Sequence, residues 1–357
     1  MKSRSLRTKG AGPSHLSQPF PCKLDNAVQW RICTFVVFVK LLIQDTTAVT
    51  IQDTASYQSC MADIPACYHL SIDQMDLTGT VPSELGLLRQ MIVLILNQNS
   101  LTGAVPTELG KLERLDFLNL GFNNLTGSVP TELGQLTQLD LLNMGDNLLM
   151  GPIPTELGNT MMANLFIAHA RLTGTVPSEL GRLGRMTSLY LQSNSLMGSL
   201  PTELGWIAPV TELWLANNSF TGSVPTEFGR LAQVTSLYLE NNDIIGSLPS
   251  ELGLMNSSQY LNMRGNRLTG TVPTELGMLS SLKLGYLSNN SLAGAVPMEL
   301  GGLAAVESLC LRNNMLRGSL PTELGLLRQI NTLWLDHNML TGPLPSELGL
   351  LSKMTDL

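Results

Sequence analysis

The stretch ELGKLERLDFLNLGFNNLTGSVPT, residues 108–131, is one copy of a unit that fills most of this chain. The proline of the unit returns every 24 residues, except for one step of 23 residues between Pro154 and Pro177. Self-similarity at such a period is typical of a solenoid, in which each repeat stacks on the one before it. Because stacked repeats leave no natural deep pocket, a protein of this kind usually binds its partner through a long exposed surface.

The composition indicates a folded chain, with 43% hydrophobic and 14% charged residues over a length of 357. The net charge of -7 has an architectural source, because 12 of the 28 acidic residues are the Glu of the recurring T-E-L-G box. The Thr or Ser that precedes all of these Glu residues except Glu299 predicts a helix N-cap, with the Glu placed favourably near the helix N-terminus. The alternative is an acidic ridge that recruits cations. A basic stripe of the kind that binds nucleic acid is missing, so we expect no nucleic-acid partner.

The sequence contains no recognisable catalytic constellation. It lacks a phosphate-binding glycine motif followed by Lys and Ser/Thr, and it lacks the kinase motifs. His169 and His337 occupy equivalent repeat positions seven turns apart, so they cannot share a metal ion. We therefore expect a binding protein without enzymatic activity, cofactor or metal.

Counting from the proline of each unit locates the secondary structure. Apolar residues at +12 and +14 alternate as in a strand with one buried face, and those at +3, +6 and +9 fit a helical or 3₁₀ turn. A recurring Asn at +17 has both donors and acceptors, so it can satisfy loop backbone groups in its own and the neighbouring turn. We expect a structural ladder of Asn99, Asn123, Asn147, Asn194, Asn218, Asn242, Asn266, Asn290, Asn314 and Asn338. The predicted fold is an α/β solenoid with one parallel sheet and short 3₁₀/α turns on the opposite side.

Four departures from the repeat are visible. Met75 occupies the Asn position of the first unit, which is ordinary for a capping repeat. The short unit has Ala170 where Asn is expected, so one ladder contact should be missing. Gly285 replaces the apolar +12 residue, which predicts a thin core there unless Leu284 turns inward. Leu357 falls on the first core residue of a new strand, so either the chain is a fragment or its end is covered by something else.

The motif L-x-x-L-x-L-x-x-N-x-L-T-G-x-[VI]-P, with 24 residues per turn, resembles the plant-type extracellular leucine-rich repeat. That repeat occurs in receptor-like kinase ectodomains, receptor-like proteins and polygalacturonase-inhibiting proteins. The uniform T-E-L-G boxes are most similar to the repetitive leucine-rich repeat proteins of diatoms and other algae. The resemblance implies a right-handed superhelix with the parallel sheet on its concave side and a second short strand near L-T-G. It also implies an extracellular or cell-surface receptor-like protein with a peptide, glycan or protein ligand and a membrane co-receptor.

Two other functions are open at this point. One is a secreted inhibitor of a polysaccharide hydrolase. The other is a structural or adhesive component of a cell wall or matrix, since uniform repeats suit self-association along one face.

The chain divides into a basic and apolar leader (residues 1–54), an N-terminal cap with an atypical first repeat (55–77), and the 24-residue repeats (78–357), which end mid-repeat. The apolar run 32–43 is interrupted by Lys40 and is too short to span a bilayer, so a poor signal peptide, a weak anchor and a mis-assigned gene start are all open. We expect a disulfide between Cys60 and Cys67 in the cap, which would suit an oxidising compartment. Glycosylation sequons occur at Asn124, Asn217, Asn256 and Asn289.

Binding is expected on the outward-facing positions of the sheet, +11, +13, +15 and +16, which alternate with the buried leucines. The +13 position carries four successive aromatic residues, which should stack at a strand spacing of roughly 4.8 Å. Aromatic anchors surrounded by polar groups are typical of interaction hot spots, although aromatic residues also simply favour strands and pair well across them. The predicted ligand-binding residues are Phe166, Tyr190, Trp214, Tyr238, Glu212, Glu240, Arg264, Tyr286 and Trp334.

Overall fold

The computed structural model describes residues 48–357, so the predicted leader lies outside the described residues apart from positions 48–54. Positions 48–54 belong to the N-terminal cap. Ile51 is fully buried, and Thr50 forms a parallel bridge with Thr78 of the first repeat. The cap therefore begins before the boundary predicted at residue 55. It contains 3₁₀ turns at Ile51–Asp53 and Ile64–Ala66 and the only α-helix of the described residues, Ala55–Ala62.

The cap also contains the predicted disulfide between Cys60 and Cys67, whose Cα atoms are 5.0 Å apart. This bridge joins the end of the α-helix to the segment that enters the first strand. Cys310 is a free, buried thiol.

The main sheet has 12 parallel strands, one from each repeat, in the order of the chain. The central residue of each strand is buried, whereas most of the flanking residues are partly exposed, as the alternation of apolar residues predicts. Neighbouring strands pair in register, so equivalent residues such as Leu189 and Leu213 face each other. The strands are His69–Ser71, Val93–Ile95, Phe117–Asn119, Leu141–Asn143, Asn164–Phe166, Ser188–Tyr190, Glu212–Trp214, Ser236–Tyr238, Tyr260–Asn262, Leu284–Tyr286, Ser308–Cys310 and Thr332–Trp334.

A second set of short strands follows each Asn position and confirms the strand that the resemblance implies near L-T-G. These strands pair with an offset, so that Gly198 lies opposite Phe220 of the next repeat. Gly103 has a φ of 77°, which a residue with a side chain would adopt only with strain. The strands are Thr102–Ala104, Asn124–Thr126, Met150–Gly151, Arg171–Leu172, Met197–Ser199, Ser219–Thr221, Ile245–Ser247, Arg267–Thr269, Ala293–Gly294, Met315–Gly318 and Met339–Leu340.

Each T-E-L-G box forms a 3₁₀ turn on the side opposite the main sheet, but the predicted N-cap is wrong. The proline occupies the capping position, and the hydroxyl of residues such as Thr107 donates to the next Glu instead of accepting a backbone N–H. The box glycine is required by close stacking, because a Cβ on Gly110 would lie 2.5 Å from the carbonyl oxygen of Glu132. The turns are Ser83–Leu87, Thr107–Lys111, Thr131–Gln135, Thr155–Asn159, Ser178–Arg182, Thr202–Trp206, Thr226–Arg230, Ser250–Leu254, Thr274–Met278, Met298–Gly302, Thr322–Leu326 and Ser346–Leu350.

The predicted Asn ladder is confirmed at all ten positions. Each Oδ1 accepts a backbone N–H from the preceding repeat, and each Nδ2 donates to carbonyl oxygens of its own and the preceding repeat. Ala170 interrupts the ladder as predicted, because its side chain has no amide group. The ladder thus satisfies the loop backbone beside a continuous apolar core.

The unusual glycine in the main sheet leaves a defect in the core. Gly285 occupies the inward position of its strand, and Leu284 remains partly exposed, so Leu284 does not turn inward to fill the space. An apolar cavity of about 10 Å³ adjoins Gly285, lined in part by Leu261, Leu282 and Leu309.

Candidate binding surface on the main sheet

The solvent-facing side of the main sheet, the concave face, carries the predicted aromatic column. We define the aromatic strip as Phe166, Tyr190, Trp214 and Tyr238, the last residues of four consecutive strands. Their in-register pairing places the four side chains in a row. All four rings are partly buried rather than freely exposed, because each covers part of its neighbours.

The rings of the aromatic strip contact one another at the predicted strand spacing. Ring centroids are 4.7 Å apart between Phe166 and Tyr190, 4.7 Å between Tyr190 and Trp214, and 4.9 Å between Trp214 and Tyr238. Tyr190 and Trp214 are nearly parallel, with an interplanar angle of 17°, whereas the outer pairs are tilted. Part of the role of these residues is therefore mutual packing, as the strand-pairing alternative holds, and the row also forms a continuous aromatic ridge.

Two glutamates lie beside the aromatic strip in different environments. Glu212 accepts a hydrogen bond from the Tyr190 hydroxyl. Burial raises the pKa of Glu240 above its ordinary value, although its own backbone N–H and the positive charge of Arg264 both act to lower that pKa. Burial, assisted by the charge of Glu240, also raises the pKa of Tyr238 to about 12. This part of the surface thus combines aromatic rings with one carboxylate, that of Glu240, which is poorly solvated.

The remaining predicted residues belong to a separate groove further along the sheet. Tyr286, Trp334 and Arg264 line a groove of about 550 Å³, together with Arg312 and the buried thiol of Cys310. The concave face therefore divides the predicted site into two parts, the aromatic strip with Glu212 and Glu240, and this groove.

A cluster of charged residues at the edge of the groove was not among the predicted site residues. The Arg312 guanidinium lies 5.7 Å from the centroid of the Trp334 ring and 3.0 Å from the Asp336 carboxylate. His337 Nδ1 is 2.6 Å from the same carboxylate, and this hydrogen bond is the main cause that lowers the pKa of Asp336. Arg312 and Asp336 both occupy the outward-facing +15 position, so the alternation rule could have identified them.

The +16 position forms the rim of the concave face and has a left-handed backbone in most repeats. Asn217 and Asn289, two of the sequon residues, lie there with φ angles of 54° and 55° and exposed side chains. Each accepts a hydrogen bond from the Asn of the next repeat, Asn241 and Asn313. The other sequon residues, Asn124 and Asn256, are also exposed. All four side chains are thus accessible, while their glycosylation remains a prediction.

Within residues 48–357, no group of three or more His, Cys, Asp or Glu side chains is arranged to hold a metal ion. In the same part of the chain, none of the helices has the length and hydrophobicity that a bilayer-spanning segment needs.

Comparison with known proteins identifies the repeat. The family model for the Leucine Rich Repeat matches residues 114–136, 210–231, 233–255, 257–279 and 329–351. None of the curated protein sequences matches the chain.

Among solved structures, the plant peptide hormone receptor RGFR1 in complex with RGF2 is 28% identical, with a TM-score of 0.66 over 80% of this chain and 53% of that chain. A TDR receptor is 27% identical, with a TM-score of 0.70 over 84% of this chain and 55% of that chain. A plant ice-binding protein is 25% identical, with a TM-score of 0.58 over 83% of this chain and 91% of that chain.

The chain spans about half the length of the two receptors that it resembles. Proteins with different functions share this fold, so the fold alone does not determine the ligand. The repeat motif, the parallel sheet with its 3₁₀ turns and these structural neighbours agree with one another. The chain is a leucine-rich repeat solenoid, and it matches the plant-type extracellular leucine-rich repeat family.

Proposed function

We propose that this protein is an extracellular recognition module that binds a peptide or a protein segment on its concave face. The observation that carries this proposal is the aromatic strip, four contacting rings on the solvent-facing side of the sheet with Glu212 and Glu240 beside them. Aromatic side chains supply large contact areas at interaction hot spots, and the polar groups around them fix orientation. A row of in-register strands also suits an extended ligand that crosses several repeats.

Several further observations support the proposal. One structural neighbour is a plant peptide hormone receptor in complex with RGF2, and its fold matches most of this chain. The Cys60–Cys67 bridge fits an oxidising compartment, which favours export. In the receptor-like role, a membrane co-receptor would be a second partner and signalling parts would lie elsewhere. Binding rather than catalysis is the expected activity.

A direct test compares peptide retention by the wild-type full chain and by two variants, using a pool of randomised peptides on immobilised protein. Trp214→Ala combined with Tyr238→Ala should reduce retention. Trp206→Ala is the matched control, because this tryptophan is 55% exposed on the 3₁₀ side of the solenoid. The two lost ring contacts should lower stability by about 1–2 kcal/mol, and the lost burial of both side chains lowers it further, so retention is measured well below the melting temperature. Equal retention by all three proteins would contradict the proposal.

The two other functions have their own tests. Inhibition of a polysaccharide hydrolase by the purified chain would favour an inhibitor. Concentration-dependent assembly that is lost when the T-E-L-G glutamates are changed to Gln would favour a structural component, whereas a strictly monomeric chain would argue against it.

A further inference from the structure

The most unusual polar groups of the concave face are two buried acceptor atoms beside the aromatic strip. The Oε1 atom of Gln192 and the Oε2 atom of Glu240 are inaccessible to solvent and have no hydrogen-bond partner among the described residues. The Gln192 residue is 8% exposed. Buried polar atoms are nearly always hydrogen-bonded, so two unsatisfied acceptors on one surface require an explanation.

The two acceptors belong to the +15 row and lie on either side of a small residue. Gln192, Ala216 and Glu240 occupy equivalent positions in three consecutive repeats, because the backbone carbonyl of each accepts from the side-chain amide of the ladder Asn two residues later. The backbones of Gln192 and Glu240 are therefore about 10 Å apart, which is two strand spacings. Between these two long side chains lies only the methyl group of Ala216. Trp214 and Tyr238 of the aromatic strip end their strands two residues before Ala216 and Glu240. Ala216 is itself 4% exposed, so neighbouring side chains cover it in this structure. We call the site formed by Gln192, Ala216 and Glu240 the recess.

The chemistry of the recess favours a cation. Both unsatisfied groups are acceptors, and one belongs to a carboxylate. The ion pairs among residues 48–357 do not include Glu240, and neither do they include its neighbour Arg264. Aromatic faces attract cations as well, and a guanidinium can stack on a ring while it donates to an acceptor. The charge of Arg264 acts on Glu240 without forming an ion pair, so a neutral ligand would leave the poorly solvated carboxylate without a directly bonded counter-charge.

We infer that the recess binds the basic side chain of an Arg or Lys residue in the partner polypeptide. The inference rests on the proposed function and specifies the chemistry of its ligand. Glu240 supplies the counter-charge, Gln192 a second acceptor, and the rings of Trp214 and Tyr238 the wall. Both acceptors are covered by neighbouring side chains in this structure, so binding requires Glu240 to change its rotamer. The recess then selects the residue type at one position of the ligand, while the rest of the aromatic strip provides contact area.

The test uses four pools of peptides that are randomised except at one central position, which is Arg, Lys, citrulline or Glu. Citrulline has the shape of Arg without its charge. The immobilised wild-type chain should retain the Arg and Lys pools at least about tenfold more than the citrulline pool, the factor expected of a hydrogen bond to a charged group. Glu240→Gln should abolish this difference. Glu251→Gln, on the 3₁₀ side of the solenoid, should preserve it.

The outcomes separate the inference from the proposed function. Equal retention of all four pools by the wild type would refute the cation recess, while the recognition function would stand. Retention of none of the pools would contradict both. A preference for Arg that survives in Glu240→Gln would also refute the inference, because another acidic group would then be responsible. Gln192→Leu, a change of similar volume, should weaken the preference for Arg and checks the second acceptor independently.

Discussion

The Asn ladder makes a quantitative prediction about stability, which we develop for Asn123→Ala. Asn123 is 7% exposed, and its Oδ1 accepts the backbone N–H of Leu101 at 3.0 Å. Its Nδ2 donates to the carbonyl oxygens of Leu96, Leu120 and Gly121 at 3.0, 3.1 and 3.3 Å. Alanine removes all four hydrogen bonds without reducing the apolar core.

The size of the expected loss of stability depends on which groups lose their only hydrogen-bond partner. The three carbonyl oxygens keep other donors, because they also accept from Asn99 Nδ2, Asn147 Nδ2 and the Gln98 N–H. The N–H of Leu101 is left buried without an acceptor, which costs about 2 kcal/mol, and the weakened carbonyl bonds add about 1 kcal/mol. We therefore expect the free energy of unfolding to fall by about 3 kcal/mol.

Urea denaturation of the full chain, followed by far-ultraviolet circular dichroism, measures this change. Asn256→Ala is the matched control, since Asn256 is exposed and lies outside the ladder. The reverse change, Ala170→Asn, should restore the missing ladder contact and raise the free energy of unfolding by about 1 kcal/mol. If Asn123→Ala destabilises the protein no more than Asn256→Ala, the ladder is not a source of stability and the reasoning is refuted.

Three further predictions concern the core, the cap and the aromatic strip. Gly285→Ala should raise the free energy of unfolding by about 0.5 kcal/mol, and with it the melting temperature, because alanine reduces the backbone entropy of the unfolded chain. The new Cβ meets only flexible leucine methyl groups, at 3.2 Å. A lower melting temperature would show that the neighbouring leucines cannot move. Replacing Cys60 and Cys67 by Ser should reduce stability by about 2 kcal/mol for so short a loop, and reductant should then have no further effect on the melting temperature. Because the pKa of Tyr238 is raised to about 12, the unfolded chain loses this proton first, and the associated stability should fall as the pH rises from about 10 to about 12. Tyr238→Phe should remove that part of the pH dependence in urea denaturation, and an unchanged dependence would contradict the assignment.

The regular parts of the structure could be predicted from the sequence because each repeat position has one dominant physical role. The period determines the stacking, and the buried leucines determine which strand face points inward. The Asn at +17, such as Asn194, can satisfy several backbone groups only in the position where the structure places it. For the same reason, the interruption at Ala170 and the thin core at Gly285 were predictable.

The N-cap error and the features that were not predicted have different origins. The Thr of the T-E-L-G box was expected to cap a helix, but the proline before it takes that position and a 3₁₀ turn follows. The unsatisfied atoms of Gln192 and Glu240 depend on how side chains from adjacent repeats cover one another, which periodicity does not describe. The cluster of Arg312, Trp334 and Asp336 likewise joins residues from two repeats.

The central claim is that the aromatic strip is the recognition surface of this protein. The most direct measurement is the retention of a randomised peptide pool by the immobilised wild-type chain, compared with the Trp214→Ala/Tyr238→Ala variant and the Trp206→Ala control. We predict strong retention by the wild type and the control and a large loss in the double variant, at a temperature at which all three are folded. Equal retention by the three folded proteins, or no retention by the wild type, would contradict the claim.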